Sequence, residues 1–450
     1  MKQAKEKYGL FTAVTMIIGI CIGSGIFFKS DNILELTGGS IFLGVVVFVI
    51  AALAIIFGGL CFGELASRTN TPGGTVTYMD QFCGKRSACG FGWFQVFIYY
   101  PTLAVVVSWV VGIYTCILFG WENTLMQQIG IGFAFFTICF IYNTISAKFG
   151  GAFQNVTTVI KMLPLVLLAV CGLIFGDPVA GFANITPATF TGATWIAAVG
   201  PIAFSYDGWT ISTSIAHEIR DSKKNLPRAL IIAPLCVMFC YILYFVGITS
   251  YVGAEQVMAL GDAHVEFAAA NLFGPMFAKI ITVFVIISVM GTVNGIVLGF
   301  IRMPYSMSLR DNMMPFSKKL SVLSDKYDIP VNSSLFAFAI GLFWYVVHFL
   351  TLKFALLPNS DISEISITIS YLLYIPLYYQ VFKLYRKGDI KSVWRGVICP
   401  FMALVGSVFI LSGGMQNPLF FAYFVICAAV IAVSQVYYSK HLQKASTLQK

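Results

Sequence analysis

Charge is what this sequence lacks. Only 10% of its 450 residues are Asp, Glu, Lys or Arg, against about 25% in a soluble domain. So few charges cannot cover a water-facing surface, which excludes a soluble globular fold. Histidine is scarce as well, with four in the whole chain. No His-Glu-x-x-His stretch and no clustered metal-ligand set occurs, so the usual marks of a membrane metalloenzyme are missing. The eleven cysteines show no zinc-type spacing, and Cys236 and Cys240, on one helix face, have no His or Asp nearby. No strand precedes a Gly-rich run, which removes a nucleotide-binding loop. These absences lead us to expect no enzyme activity, no metal and no cofactor.

What is present is apolar. The chain is 58% hydrophobic with a mean hydropathy of +0.85. Windows of roughly 20 apolar residues, the length that crosses a hydrocarbon core, recur about twelve times. We place them near Leu10–Phe28, Ile41–Leu65, Phe91–Phe119, Ile129–Ala147, Val156–Phe175 and Trp195–Ile215. The second half holds Ala229–Val252, Met276–Ile301, Leu335–Leu352, Ile365–Leu384, Val397–Leu411 and Leu419–Tyr437. Connections are short, so we expect residues 1–450 to form a single integral membrane domain.

The net charge of +9 suggests nucleic acid until its distribution is read. Lys2, Lys5 and Lys7 precede span 1. Arg68, Lys85 and Arg86 follow span 2, and Lys148 follows span 4. Arg220, Lys223, Lys224 and Arg228 follow span 6, and Arg302, Arg310, Lys318, Lys319 and Lys326 follow span 8. Lys383, Arg386, Lys387, Lys391 and Arg395 follow span 10, and Lys440, Lys444 and Lys450 end the chain. The alternate connections hold only Lys29, Lys279 and Lys353. This positive-inside alternation predicts a multi-pass cell-membrane protein with both termini cytoplasmic and no nucleic-acid partner. The first span lacks a small-residue cleavage site and reads as a retained helix. None of the cysteines falls in an expected outside loop, so free thiols are expected rather than a disulfide framework.

Two spans are poor helices. Span 1 contains "IGSGIF", Ile22 to Phe27, and span 6 contains "FSYDGW", Phe204 to Trp209. Glycine is about 1 kcal/mol worse than alanine in a helix interior, and an aspartate at mid-membrane depth is costly. Gly23 and Gly208 would form breaks. Irregular backbone at that depth survives only when buried in protein or lining a wet cavity. The two weak points head residues 8–180 and 190–390, five spans each. This predicts an inverted repeat, helices 1–5 and 6–10, with residues 391–450 adding helices 11–12 and a tail. Small residues in membrane helices are also close-packing positions, and that reading of "IGSGIF" stays open. So does a simple kink beside Pro201 for "FSYDGW".

A broken helix exposes N–H groups at the start of its second half, where the dipole favours anions. Carbonyls at the end of its first half face cations. An amino acid carries both charges on neighbouring atoms. The N–H groups of Ser24, Gly25 and Ile26 suit its carboxylate. Carbonyls near Cys21, Phe204 and Asp207 suit its ammonium, and Ser205 is a further substrate-binding candidate.

At these residues the chain resembles the amino acid–polyamine–organocation superfamily, and within it the L-type amino acid transporter family. "IGSGIF", "FGELASRTNTPGGTVTYM" from Phe62, "FSYDGW" with "HEIRDSKKNLPRAL" from His217, and "GTVNGIVLGFIRMPYSMSLRDNMMP" from Gly291 carry the likeness in order. The resemblance implies a sodium-independent transporter of L-amino acids, most simply an exchanger working by alternating access. It implies that the Phe204 ring closes over the substrate. It also implies that Lys161, in "TVIKMLPL", stands beside the broken part of helix 1 as a coupling or gating residue. Lys161 is the one basic residue read as deep inside a span. A structural tether and a snorkelling side chain are its other readings.

Thr210 and "AHE", Ala216 to Glu218, depart from the family pattern. The loop "GWENTL", Gly120 to Leu125, lacks the cysteine that animal members use to bond a heavy subunit. We therefore expect no disulfide-linked partner and a bacterial member. Thr210, Ser288, Thr292 and Asn294 are candidates for a side-chain pocket. Tyr99, Tyr100 and Trp109 are open between pocket lining and lipid contact. Glu64 is expected to pair with Arg68, His217 and Glu218 to sit at an inner gate or a solvated end, and His348 to be interfacial. Neutral substrates are expected, with Ser, Thr, Ala and Cys as first candidates. A proton-coupled amino acid or amine symporter and an amino-acid sensor without turnover are the alternatives.

Overall fold

A computed structural model of the chain describes residues 9–23, 25–69, 74–182, 194–210, 219–310, 313–324 and 329–448. The fold is built from helices, and no strand occurs among the described residues. The helices that matter for function are α1 (Leu10–Cys21), α2 (Gly25–Leu36) and α3 (Ile41–Ala66), followed by α4 (Lys85–Phe119), α5 (Leu125–Ile145) and α6 (Phe149–Phe175). Then come α7 (Trp195–Tyr206), α8 (Lys224–Val252), α9 (Pro275–Ser308), α10 (Val331–Lys353), α11 (Ile362–Arg386), α12 (Trp394–Gly414) and α13 (Phe420–Lys440). Ten of these are long and apolar enough to cross a bilayer, and α1 with α2 makes an eleventh, bent by 53° at its break. The expected sixth span is represented by the shorter α7; its continuation, residues 211–218, lies outside the described residues. The chain is thus an all-α, multi-pass membrane protein.

Local chemistry sets several ends. Thr124 and Gln127 form a reciprocal capping box that starts α5 four residues before the expected Ile129. Asp361 caps α11 by accepting from the Ser363 N–H at 2.8 Å. Burial grades across the helices. The apolar windows of α3, α4, α9 and α11 are 61–72% buried, those of α8 and α12 44–50%, and those of α5, α6, α10 and α13 22–33%.

Two expectations need correction. Span 1 runs to Leu36 rather than Phe28, because a helix that restarts at Gly25 needs about three more turns to finish its crossing. Lys29 is therefore inside the protein, not in a loop, at 1% exposure. His348 is not interfacial either; it is fully buried, 4.8 Å from the Trp109 ring.

Candidate functional site

The first break begins where α1 stops. Ile22 is extended (φ −74°, ψ 109°) and its N–H still reaches Ile18 O. Ser24 lies outside the described residues. Gly25 opens α2 and rests on the backbone of α7: a Cβ there would lie 2.9 Å from Ser205 Cβ and nearer still to Ser205 Cα. Gly23 packs in the same way on the Thr292 hydroxyl, and Gly19 on Thr158. The packing reading of the glycines is correct, and it coexists with an open backbone. Gly25 and Ile26 belong to the first turn of α2, whose N–H groups have no intrahelical acceptor.

The second break ends α7. Asp207 is extended (φ −63°, ψ 158°) and its N–H donates to Phe204 O at 3.1 Å. Gly208 follows at φ +99°, a left-handed conformation that glycine adopts without steric cost. The Asp207 carboxylate accepts a 2.6 Å hydrogen bond from Tyr99 Oη, so Tyr99 is a site residue and not a lipid contact.

The two breaks face one small cavity of about 40 Å³, lined by Cys21, Gly25, Tyr99, Tyr100, Phe204, Asp207, Gly208 and Thr292 among others. That volume holds on the order of three waters. The site is collapsed, and wall side chains must move to admit anything larger. Tyr241 of α8 stands behind it. Its hydroxyl lies 2.8 Å from Cys21 O and 2.9 Å from Ser205 O, and so links the carbonyls of both breaks.

Other expected site residues surround the cavity without lining it. Ile26 is fully buried. Ser205 Oγ is bonded to Pro201 O at 2.9 Å. Lys161 is fully buried and donates to Gly19 O, tying α6 to the first half of the broken span. Asn294 bonds Tyr142, Asn143 and Gly150 O, so it joins helices instead of facing the cavity. Ser288 is fully buried and, like Thr210, lies outside the lining. His217 and Glu218 lie outside the described residues.

A buried ion cluster sits one helical turn beyond Gly25, on the side away from the N terminus. Lys29 Nζ contacts Asp361 Oδ2 at 2.6 Å and Glu364 Oε1 at 2.5 Å. Its ammonium is also 4.6 Å from the Phe28 ring centroid and 5.2 Å from that of Phe204. The second Glu364 oxygen accepts from Ser360 Oγ at 2.8 Å. A Cβ on Gly200 would stand 2.8 Å from that same oxygen. The cluster thus joins α2, α7 and α11 above the Phe204 ring. Sequence reasoning missed it by ending span 1 too early. Asp361 and Glu364, three apart at the start of an apolar span, were the available signal. At the opposite face Glu64 pairs with Arg68 at 2.7 Å, and Arg310 reaches Thr77 at 2.7 Å and Asp80 at 3.7 Å.

Comparison with known proteins adds a second line. The family described as "Amino acid permease" matches residues 8–440. The chain is 31% identical over 451 residues to the serine/threonine exchanger SteT of Bacillus subtilis (strain 168), covering 98% of each chain. It is 25% identical to the human b(0,+)-type amino acid transporter 1, over 90% of this chain and 87% of that one. It is 27% identical to the human Asc-type amino acid transporter 1, over 74% of this chain and 64% of that one.

Proposed function

The chain belongs to the amino acid permease family, and from that premise we propose that it is a sodium-independent exchanger of small neutral L-amino acids working by alternating access. It is an amino acid transporter, of a family of transporters and not of enzymes. The observation that carries the finer reading is the meeting of two interrupted helices at Gly25 and Ser205 over a cavity lined by Cys21, Phe204 and Asp207. In this reading the N–H groups of Ser24, Gly25 and Ile26 hold the carboxylate. The carbonyls of Cys21, Phe204 and Asp207 hold the ammonium, with the Asp207 carboxylate beside them. Phe204 closes the site. The likeness to a serine/threonine exchanger supports small substrates. We also read about twelve spans, a five-plus-five inverted repeat over residues 8–180 and 190–390, helices 11–12 after it, and cytoplasmic termini in the cell membrane. On this orientation the Lys29 cluster lies on the outer side of the site. No covalently attached heavy subunit belongs to the reading.

The test is uptake of labelled L-serine into liposomes carrying the purified protein, with and without unlabelled internal serine. Trans-stimulation that ignores sodium and pH gradients is the expected result. Uptake driven by a pH gradient alone would establish the symporter instead, and saturable binding without uptake the sensor.

Two substitutions probe the site directly. Lys161→Ala should leave a folded protein and lower exchange about tenfold or more. Its amino group is what holds α6 to Gly19 O beside the break, and a hydrogen bond contributes about 0.5–3 kcal/mol, most when the donor is charged. Normal exchange rates in that variant would reduce Lys161 to a passive filler. Tyr241→Phe should weaken serine binding about two- to tenfold, the worth of one neutral hydrogen bond, because the two breaks lose their common tether. Equilibrium binding in detergent measures it, and unchanged affinity would count against the tether.

A further inference from the structure

Beyond the Phe28 and Phe204 rings lies a second cavity of about 200 Å³, separate from the central one. Its wall includes Lys29, Asp361, Phe28, Trp109, Asp31 and Asp262. Asp31 is 8% exposed, and its Oδ1 has no hydrogen-bond partner. Asp262 Oδ1, also buried, has none either. The positive charge of Lys29 does not serve them, because its contacts go to Asp361 and Glu364. His264 beside them makes its hydrogen bond elsewhere. Its Nδ1 lies 2.7 Å from Gly261 O, which can only accept, and burial holds the ring below its ordinary pKa while the nearby Asp31 opposes that shift. Burial, with Asp31 nearby, pushes Asp262 well above the usual carboxylate range. The cavity therefore presents two buried carboxyl oxygens that no group of the protein serves with a hydrogen bond.

The chemistry of a group that would serve those oxygens can be read from their neighbour. Lys29 shows how this part of the fold holds an ammonium: two carboxylates at 2.5–2.6 Å and two aromatic rings at 4.6 and 5.2 Å. The second cavity offers similar components, with the Phe28 ring shared with Lys29. It has two carboxylates with free oxygens and the edge-to-face pair of Phe28 and Trp109, 5.5 Å apart. Aromatic faces attract alkylammonium ions. No cluster of three or more metal-ligating side chains occurs among the described residues. We infer that Asp31, Asp262 and Trp109 form an outer ammonium site that takes the amino group of an incoming amino acid before it passes Phe204. The inference rests on the transport reading for its role, but not for the ammonium chemistry itself.

The test uses a primary amine without a carboxylate. Radiolabelled ethanolamine is titrated onto the purified protein in lipid nanodiscs, and serine exchange is followed separately in liposomes. Wild type should bind ethanolamine saturably. The Asp31→Asn/Asp262→Asn double variant should bind it at least about tenfold more weakly, on the scale of one lost desolvated charge contact. The same variant should raise the outer KM for serine several-fold while leaving the inner KM unchanged. Trp109→Leu, which keeps both carboxylates, should weaken ethanolamine by about two- to tenfold and serves where the double variant does not fold. Absence of saturable ethanolamine binding in wild type, or equal binding in wild type and variants, overturns the site. Ethanolamine binding that follows the variants in a protein without exchange leaves the site standing and sinks the transport reading instead.

Discussion

Lys29→Ala should destabilise the protein by about 3–5 kcal/mol, the cost of breaking a buried ion pair from one side. The reason is what remains. Asp361 and Glu364 are 2% and 4% exposed, and both contact the same ammonium. Removing it leaves two carboxylates in a low-dielectric region with no cation between them. The damage should be reversible at the same locus. Lys29→Met combined with Asp361→Asn and Glu364→Gln replaces the ions by neutral groups of similar size, and such replacements are often neutral or stabilising. Thermal unfolding in detergent checks both arms; a triple variant no better than Lys29→Ala would show that charge is not the cause. The functional consequence follows from position. Lys29 ties the half-helix that carries the Gly25 N–H to α11, directly above the Phe204 ring. The rescued triple variant should therefore fold and yet exchange faster or leak, because nothing ionic then holds α2 to α11 on that side of the site. A triple variant with wild-type exchange would make the cluster purely structural.

The breaks themselves were legible because glycines and a mid-membrane aspartate contradict helix physics locally, and the contradiction is visible in a few letters. Cys21, Gly25, Phe204, Asp207 and Gly208, singled out on that basis, all line one cavity, and so does Thr292, a side-chain-pocket candidate. The ion cluster was not legible by the same route. Lys29 and Asp361 are more than 300 residues apart, and hydropathy windows treat a lysine as the end of a span. Only the restart of the helix at Gly25 moves Lys29 one turn inward. Asn294 failed differently. A polar side chain on a core helix can face a cavity or another helix, and spacing alone does not choose; here it bonds to α5 and to Gly150. Tyr241 carried no signal at all, since its partners are backbone carbonyls of two distant segments.

Gly25→Val should abolish amino acid binding, with a loss of about a hundredfold or more, in a protein that still inserts and purifies as a single species. The argument starts from space. Even a single methyl at position 25 falls on Ser205 Cα and Cβ, and neither is the end of a flexible side chain, so α2 must move off α7. That movement displaces the first-turn N–H groups from the carbonyl side of the site. A substrate held by both would lose one or two charge-assisted hydrogen bonds, each about 1.5–3 kcal/mol, which is roughly ten- to a hundredfold per bond. Gly25→Ala creates the same contact with less bulk and should be intermediate, about tenfold weaker. The graded pair separates mechanism from misfolding. Both variants should retain a cooperative thermal transition, while serine binding by calorimetry falls from glycine to alanine to valine. If Gly25→Val keeps its affinity, the carboxylate is held elsewhere, and the close approach of α2 to α7 is packing alone. If binding falls as expected while the transition survives, the missing side chain at position 25 is what lets two broken helices share one zwitterion.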